Sequence, residues 1–158
     1  MAYVTHEYFT SLYDQVDEKR FANLEWEARR IVDAHTTGVD NVRKLRVAFP
    51  VDEDDAEAVR RCMGKLIKLI MDIEDAEKGR GLIERPDGSV SSGVVSSISS
   101  GSESISYAAD GGRAIDAAVS DISARNKLYS QTVRQMLSGV SDANGVSLLY
   151  VGVYPYVR

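Results

Sequence analysis

The stretch Ser89–Tyr107 constrains this chain most, because it interrupts helical sequence on both sides without behaving like a plain linker. It carries one charge, Glu103, and no proline. A flexible Gly/Ser linker has no need of Val90, Val94, Val95, Ile98, Ile105 and Tyr107. Val94, Ser96, Ile98 and Ser100 fall on one face of an extended chain, and Ser104–Tyr107 alternates in the same way. Ser99-Ser100-Gly101-Ser102 between them is turn material. The pattern predicts a Ser-rich β-hairpin with a weakly apolar face formed by Val94, Ile98, Ile105 and Tyr107. Pro86-Asp87-Gly88 is a second turn signal, so Leu82–Arg85 is a candidate extra strand and the insert runs from about 82 to 108. Strands this few and short do not hold themselves together in water, so the hairpin must lie on its own helices or on a neighbouring molecule. A disordered linker is the competing reading.

The flanking sequence is helical. Thr5 caps a short helix reaching Tyr13, with Tyr8, Phe9 and Leu12 on one face. Asp17 caps a longer one, whose stripe is Phe21, Leu24, Ala28, Ile31, Val32 and His35, and Gly38 reads as its terminator. Val39–Ala48 reads as a short helix with Arg43, Lys44 and Arg46 on its basic side, and Pro50 closes the segment. These three cations fit a solvated face or an acidic neighbour better than a phosphate site. Asp52-Glu53-Asp54-Asp55 opens the longest helix, with Val59, Met63, Leu66, Ile67, Ile70 and Ile73 as its stripe and Cys62 at the border. Clustered carboxylates suit a helix N-terminus, where unpaired N–H groups favour negative charge. Gly79 and Gly81 end this helix, and Asp110-Gly111-Gly112 reads as a further break. Arg113–Ser138 reads as one helix, with Ile115, Ala118, Val119, Ile122, Tyr129, Val133 and Met136/Leu137 facing inward. The expected fold class is mainly α. It is a helical bundle of four to five helices, over about 5–79 and 113–138, with the inserted hairpin and an extended C-terminal arm over 140–158, all in a single domain.

That arm is the second informative stretch. After the Asp142-Ala143-Asn144-Gly145 turn, Val146–Arg158 has one side-chain charge, at Arg158, and is rich in Val, Leu and Tyr. Pro155 restricts it to an edge strand or an extended segment. Chain ends are usually polar and loose, so Leu148, Leu149, Tyr150, Val153, Tyr154 and Tyr156 must be covered by the chain's own core or by a partner.

Composition narrows function by exclusion. With 158 residues, 44% hydrophobic and 27% charged, the chain is an ordinary globular one. A formal net charge of −5 argues against broad nucleic-acid binding. No apolar run approaches the roughly 20 residues a membrane helix needs, and Met1–Glu7 lacks a secretory pattern. Cys62 is the lone cysteine, which fits a reducing compartment and a small buried side chain. Phosphate loops, His-Glu-x-x-His and cysteine pairs are absent from the sequence, and His6 and His35 have no evident partners. The helix pairs Asp72/Asp75 and Glu74/Glu77 would hold Mg²⁺ only if a second acidic helix faced them. A metal-dependent all-α hydrolase using these acids is the alternative, a small helical protein-interaction module another. The expectation is no enzyme, no catalytic or metal residue and no cofactor.

Several stretches resemble the head-tail connectors of tailed bacteriophages, the adaptors that bind the portal. They are Tyr3-Val4-Thr5 with Glu7-Tyr8, Leu24-Glu25-Trp26-Glu27-Ala28, Thr36-Thr37-Gly38-Val39-Asp40, and Leu45 with Ala48-Phe49-Pro50. Asp54–Val59, Glu103–Tyr107, Asp142–Val146 and Leu148-Leu149-Tyr150 continue the series. The likeness rests on order and spacing over nearly the whole chain, which is longer than the family's small members. It implies a virion protein at the head-tail junction, assembled in the host cytoplasm. It further implies a homo-oligomeric ring, twelve-fold in this family, docked on the portal protein. The ring would receive a downstream connector, stopper or tail protein and pass the DNA through its lumen without specific binding. On this reading Leu148, Leu149, Tyr150, Val153, Tyr154 and Tyr156 form the portal- or subunit-binding arm, and Val94, Ile98, Ile105 and Tyr107 make ring contacts.

Overall fold

In the computed structural model the chain is mainly helical, and the structure describes residues 2–79, 83–84, 90–91, 99–100, 103–104 and 110–156. Its helices are α1 (His6–Leu12), α2 (Glu18–Thr36), α3 (Lys44–Val47), α4 (Glu53–Gly79), α5 (Asp110–Ser120) and α6 (Ile122–Met136). Packing divides the chain into two units, one of 1–70 with 129–158 and one of 71–128. Between α4 and α5 the described residues form only two-residue antiparallel pairings, Ile83–Glu84 with Val90–Ser91 and Ser99–Ser100 with Glu103–Ser104. Val94, Ile98, Ile105 and Tyr107 lie outside the described residues.

Helix starts follow the capping chemistry. The Thr5 hydroxyl accepts from the Tyr8 amide at 3.2 Å, and Asp17 accepts from the Lys19 and Arg20 amides at 3.0 and 3.3 Å. Asp52 does the same for the Asp54 and Asp55 amides at 3.1 and 3.2 Å, so part of that acidic run is helix-capping. In the first unit Phe21, Leu24, Ala28 and Val32 of α2 are buried, as are Val59, Cys62, Met63, Leu66, Ile67 and Ile70 of α4. Phe9 anchors α1, with its ring centroid 5.7 Å from Phe21 and 5.2 Å from Tyr13. Leu12, expected on the inner face, is half-exposed, because α1 ends there and the chain turns away before another turn forms. The segment before α1 is fastened to α2. The Tyr3 hydroxyl donates to Asp33 at 2.7 Å, its amide donates to Glu25 at 3.2 Å, and Arg46 Nε donates to Asp33 at 3.1 Å.

Two expected helices differ. Val39–Ala48 is helical only over Lys44–Val47, because Asn41 takes the left-handed conformation (φ 59°) and Thr37 bridges Arg43. Arg113–Ser138 is two helices rather than one, and α5 begins at Asp110, inside the expected glycine break. The division falls at Asp121, whose carboxylate accepts from the Ser123 amide at 2.8 Å and so starts α6 as a cap. Ile122, expected inward, follows this cap and is exposed. In the second unit Arg125 ties the division together, its Nε donating to the Ala118 carbonyl at 2.9 Å and its guanidinium pairing with Glu77. Ile73 of α4 and Ala118 of α5 are buried.

Candidate functional site

The C-terminal segment is built back onto the first unit by its backbone. After α6, Gly139 takes φ 82°, which an L side chain resists, and redirects the chain. Asp142 then organises a tight loop. Its Oδ1 accepts from the Asn144 and Val146 amides at 2.8 and 2.9 Å, and Gly145 (φ 76°) donates to the Asp142 carbonyl at 3.0 Å. The Leu148 amide donates to the Val140 carbonyl at 2.9 Å, so Ser141 and Ser147 lie side by side. The expected Asn-Gly turn is therefore present, but the residues after it form no strand among those described.

Three devices fix the last residues. Lys44 is fully buried, and its ammonium donates to the carbonyls of Ser147 (3.2 Å), Leu148 (3.0 Å) and Tyr150. Burial lowers the Lys44 pKa, while Asp142 and Asp40 act in the opposite direction. Its ammonium also lies 5.5 Å from the Tyr150 ring centroid. Asp40 supplies the second device, accepting from the Tyr154 amide at 2.7 Å and the Val42 amide at 3.3 Å. The Tyr154 amide is the main reason the Asp40 carboxyl sits below the usual carboxylate range. The third is the Tyr154 side chain, which is buried, donates its hydroxyl to Asp142 and accepts from the Asn144 side-chain amide at 2.9 Å. Burial first, then the hydrogen bond to the Asp142 carboxylate, raises the pKa of this phenol. Gly38 is needed at this contact for space. A Cβ there would lie 2.5 Å from the Gly152 carbonyl, and the helix before it ends with Thr37 extended rather than on a left-handed glycine. The Val39 amide donates to the Val151 carbonyl at 3.0 Å alongside.

These attachments divide the arm residues into two sets. Leu148 and Tyr154 point into the chain's own core, and Leu149 is half-buried. Tyr150, Val153 and Tyr156 are exposed, at 50%, 65% and 59%. Val151 and Val39 are exposed too, so the segment and the residue bonded to it carry several uncharged, exposed apolar side chains. In the sequence Lys44 belongs to a basic side that fits a solvated face or an acidic neighbour, and neither Asp40 nor Val39 stands out. No local periodicity marks a lysine whose partners are carbonyls about a hundred residues away in the chain.

Asp75 and Glu77, one from each acidic pair on α4, have basic company, and Glu57 has basic and aromatic company. Glu77 pairs with Arg125, Asp75 with Lys78 at 3.6 Å, and Glu57 accepts from Tyr8 at 2.7 Å and Arg61 at 2.9 Å. Among the described residues no group of three or more His, Cys, Asp or Glu is arranged to hold a metal. No described helix is long and apolar enough to cross a membrane. Comparison with protein-family models, with curated proteins and with solved structures finds no match for this chain.

Proposed function

We propose that this chain is a structural adaptor of a tailed-phage virion, a head-tail connector rather than an enzyme. In this reading it assembles in the host cytoplasm as a ring of about twelve copies, the number its resemblance implies. The ring binds the portal protein on one side, receives a downstream connector, stopper or tail protein on the other, and lets the genome pass through its lumen. The observation that carries the reading is the set of exposed apolar side chains on the C-terminal segment. Tyr150, Val151, Val153 and Tyr156 stand out from a backbone that Lys44, Asp40 and Tyr154 hold in place. An ordered apolar face loses little conformational freedom on docking, so more of its burial appears as affinity. A net charge of −5 suits a lumen that does not grip DNA. The hairpin insert, through Val94, Ile98, Ile105 and Tyr107, is assigned to contacts between neighbouring subunits.

Co-sedimentation with purified portal protein from the same phage tests this. Cutting the chain at Ser147 would also remove the core residues Leu148 and Tyr154, so surface substitutions are the better probe. Wild type is expected to co-sediment. Val153→Asp with Tyr156→Ser is expected to abolish this while leaving the melting temperature of the free chain within a few degrees. Failure of the wild type to bind would remove the adaptor reading. Unimpaired binding by the variant would keep the role and move the contact away from this face.

A further inference from the structure

Three guanidinium groups border one cleft, and the only acid among its lining residues is already committed. The cleft, of about 530 Å³, lies in the first unit where the end of α2, the loop after it and α3 come together. Arg30, Asp33, Thr37, Asn41, Arg43 and Arg46 line it. Asp33 is buried, with one carboxylate oxygen taken by the Tyr3 hydroxyl and the other by Arg46 Nε. That pairing leaves the Arg46 side chain 45% exposed. Among the described residues Arg43 forms no ion pair, and the Arg30 guanidinium rests 4.9 Å from the Trp26 ring rather than on an acid. The cleft therefore carries net positive charge on a chain whose total is −5.

We propose that this cleft is a carboxylate-recognition site that takes an acidic segment of a partner protein. Guanidinium forks match planar carboxylates in bidentate fashion, and all three cations here are arginines. The charge complementarity favours a short acidic peptide over a nucleic acid. A phosphate backbone needs an extended basic stripe, and Lys44, which would have lengthened this one, is buried against backbone carbonyls. Gly38 also lines the cleft, and the next residue, Val39, bonds Val151. The cleft and the C-terminal segment are thus backbone neighbours, yet the site itself needs no residue of that segment.

Trp26 is the chain's single tryptophan and sits against Arg30, so its fluorescence is a local reporter. The full chain would be titrated with blocked Asp-Glu-Asp-Asp peptide, with its Asn-Gln-Asn-Asn counterpart, with inorganic phosphate and with a twelve-base single-stranded oligonucleotide. Saturable, salt-sensitive binding of the acidic peptide is expected, at least tenfold weaker in Arg30→Gln/Arg43→Gln as read by calorimetry. Arg134→Gln, which removes an exposed arginine outside the cleft, should leave it unchanged. No saturation, equal loss in Arg134→Gln, or no loss in the double variant would overturn the proposal. Tighter binding of the oligonucleotide or of phosphate than of the peptide would overturn it in favour of a phosphate ligand.

Discussion

Lys44 shows how one residue can serve a whole segment. A buried ammonium is costly unless its protons are all engaged, and here the carbonyls of Ser147, Leu148 and Tyr150 receive them. Lys44→Met keeps most of the volume but removes the donor from all three carbonyls, of which only that of Ser147 keeps another, the Tyr150 amide at 3.1 Å. It is expected to cost about 2–3 kcal/mol in urea unfolding, the scale of charge-assisted hydrogen bonds. It should also speed amide exchange at Leu148 and Tyr154; a variant as stable as wild type would show the lysine to be dispensable. Cys62 offers a pH test. Burial pushes its thiol up to about 12, against about 8.5 for an unfolded cysteine. The unfolded chain releases this proton first, so the Cys62 contribution is complete below pH 8.5 and is lost progressively as pH rises towards 12. Folded protein should resist thiol reagents at pH 8, and Cys62→Ala should lose that part of the alkaline decline in stability. Rapid labelling of the folded chain would contradict the burial.

At the scale of elements, the division between α5 and α6 rests on the Asp121 cap. Asp121→Ala is expected to lower stability by about 1 kcal/mol, measured by thermal denaturation. A gain in stability with increased helicity would mean that the cap interrupts a helix the sequence would otherwise continue. This division was legible only in part. The stripes of α2 and α4 and the caps Thr5, Asp17 and Asp52 could be read directly, because periodicity and capping are local. Asp121 was passed over because the apolar spacing from Ile115 to Val133 nearly continues across it. The same limit applies to the candidate site. The apolar character of Leu148–Tyr156 was plain in the sequence, but which side chains turn inward depends on Asp40, Lys44 and Asp142. In the sequence Asp40 lies unremarked in the expected helix over 39–48, Lys44 on its basic side and Asp142 in the Asn-Gly turn, and only tertiary structure joins them.

For the molecule as a whole, the adaptor account needs a surface that is ordered before the partner arrives and covered afterwards. Leu148 and Tyr154 secure the first requirement, and Tyr150, Val151, Val153 and Tyr156 are available for the second. Hydrogen exchange read by mass spectrometry, on the free chain and on the chain mixed with portal protein from the same phage, tests both at once. The account predicts that the amide of Leu148, bonded to Val140, is protected in the free chain. It further predicts that peptides covering 149–156 gain protection when portal is added. A free chain that exchanges fully across 147–156, or a portal mixture that leaves this segment unchanged, would contradict it.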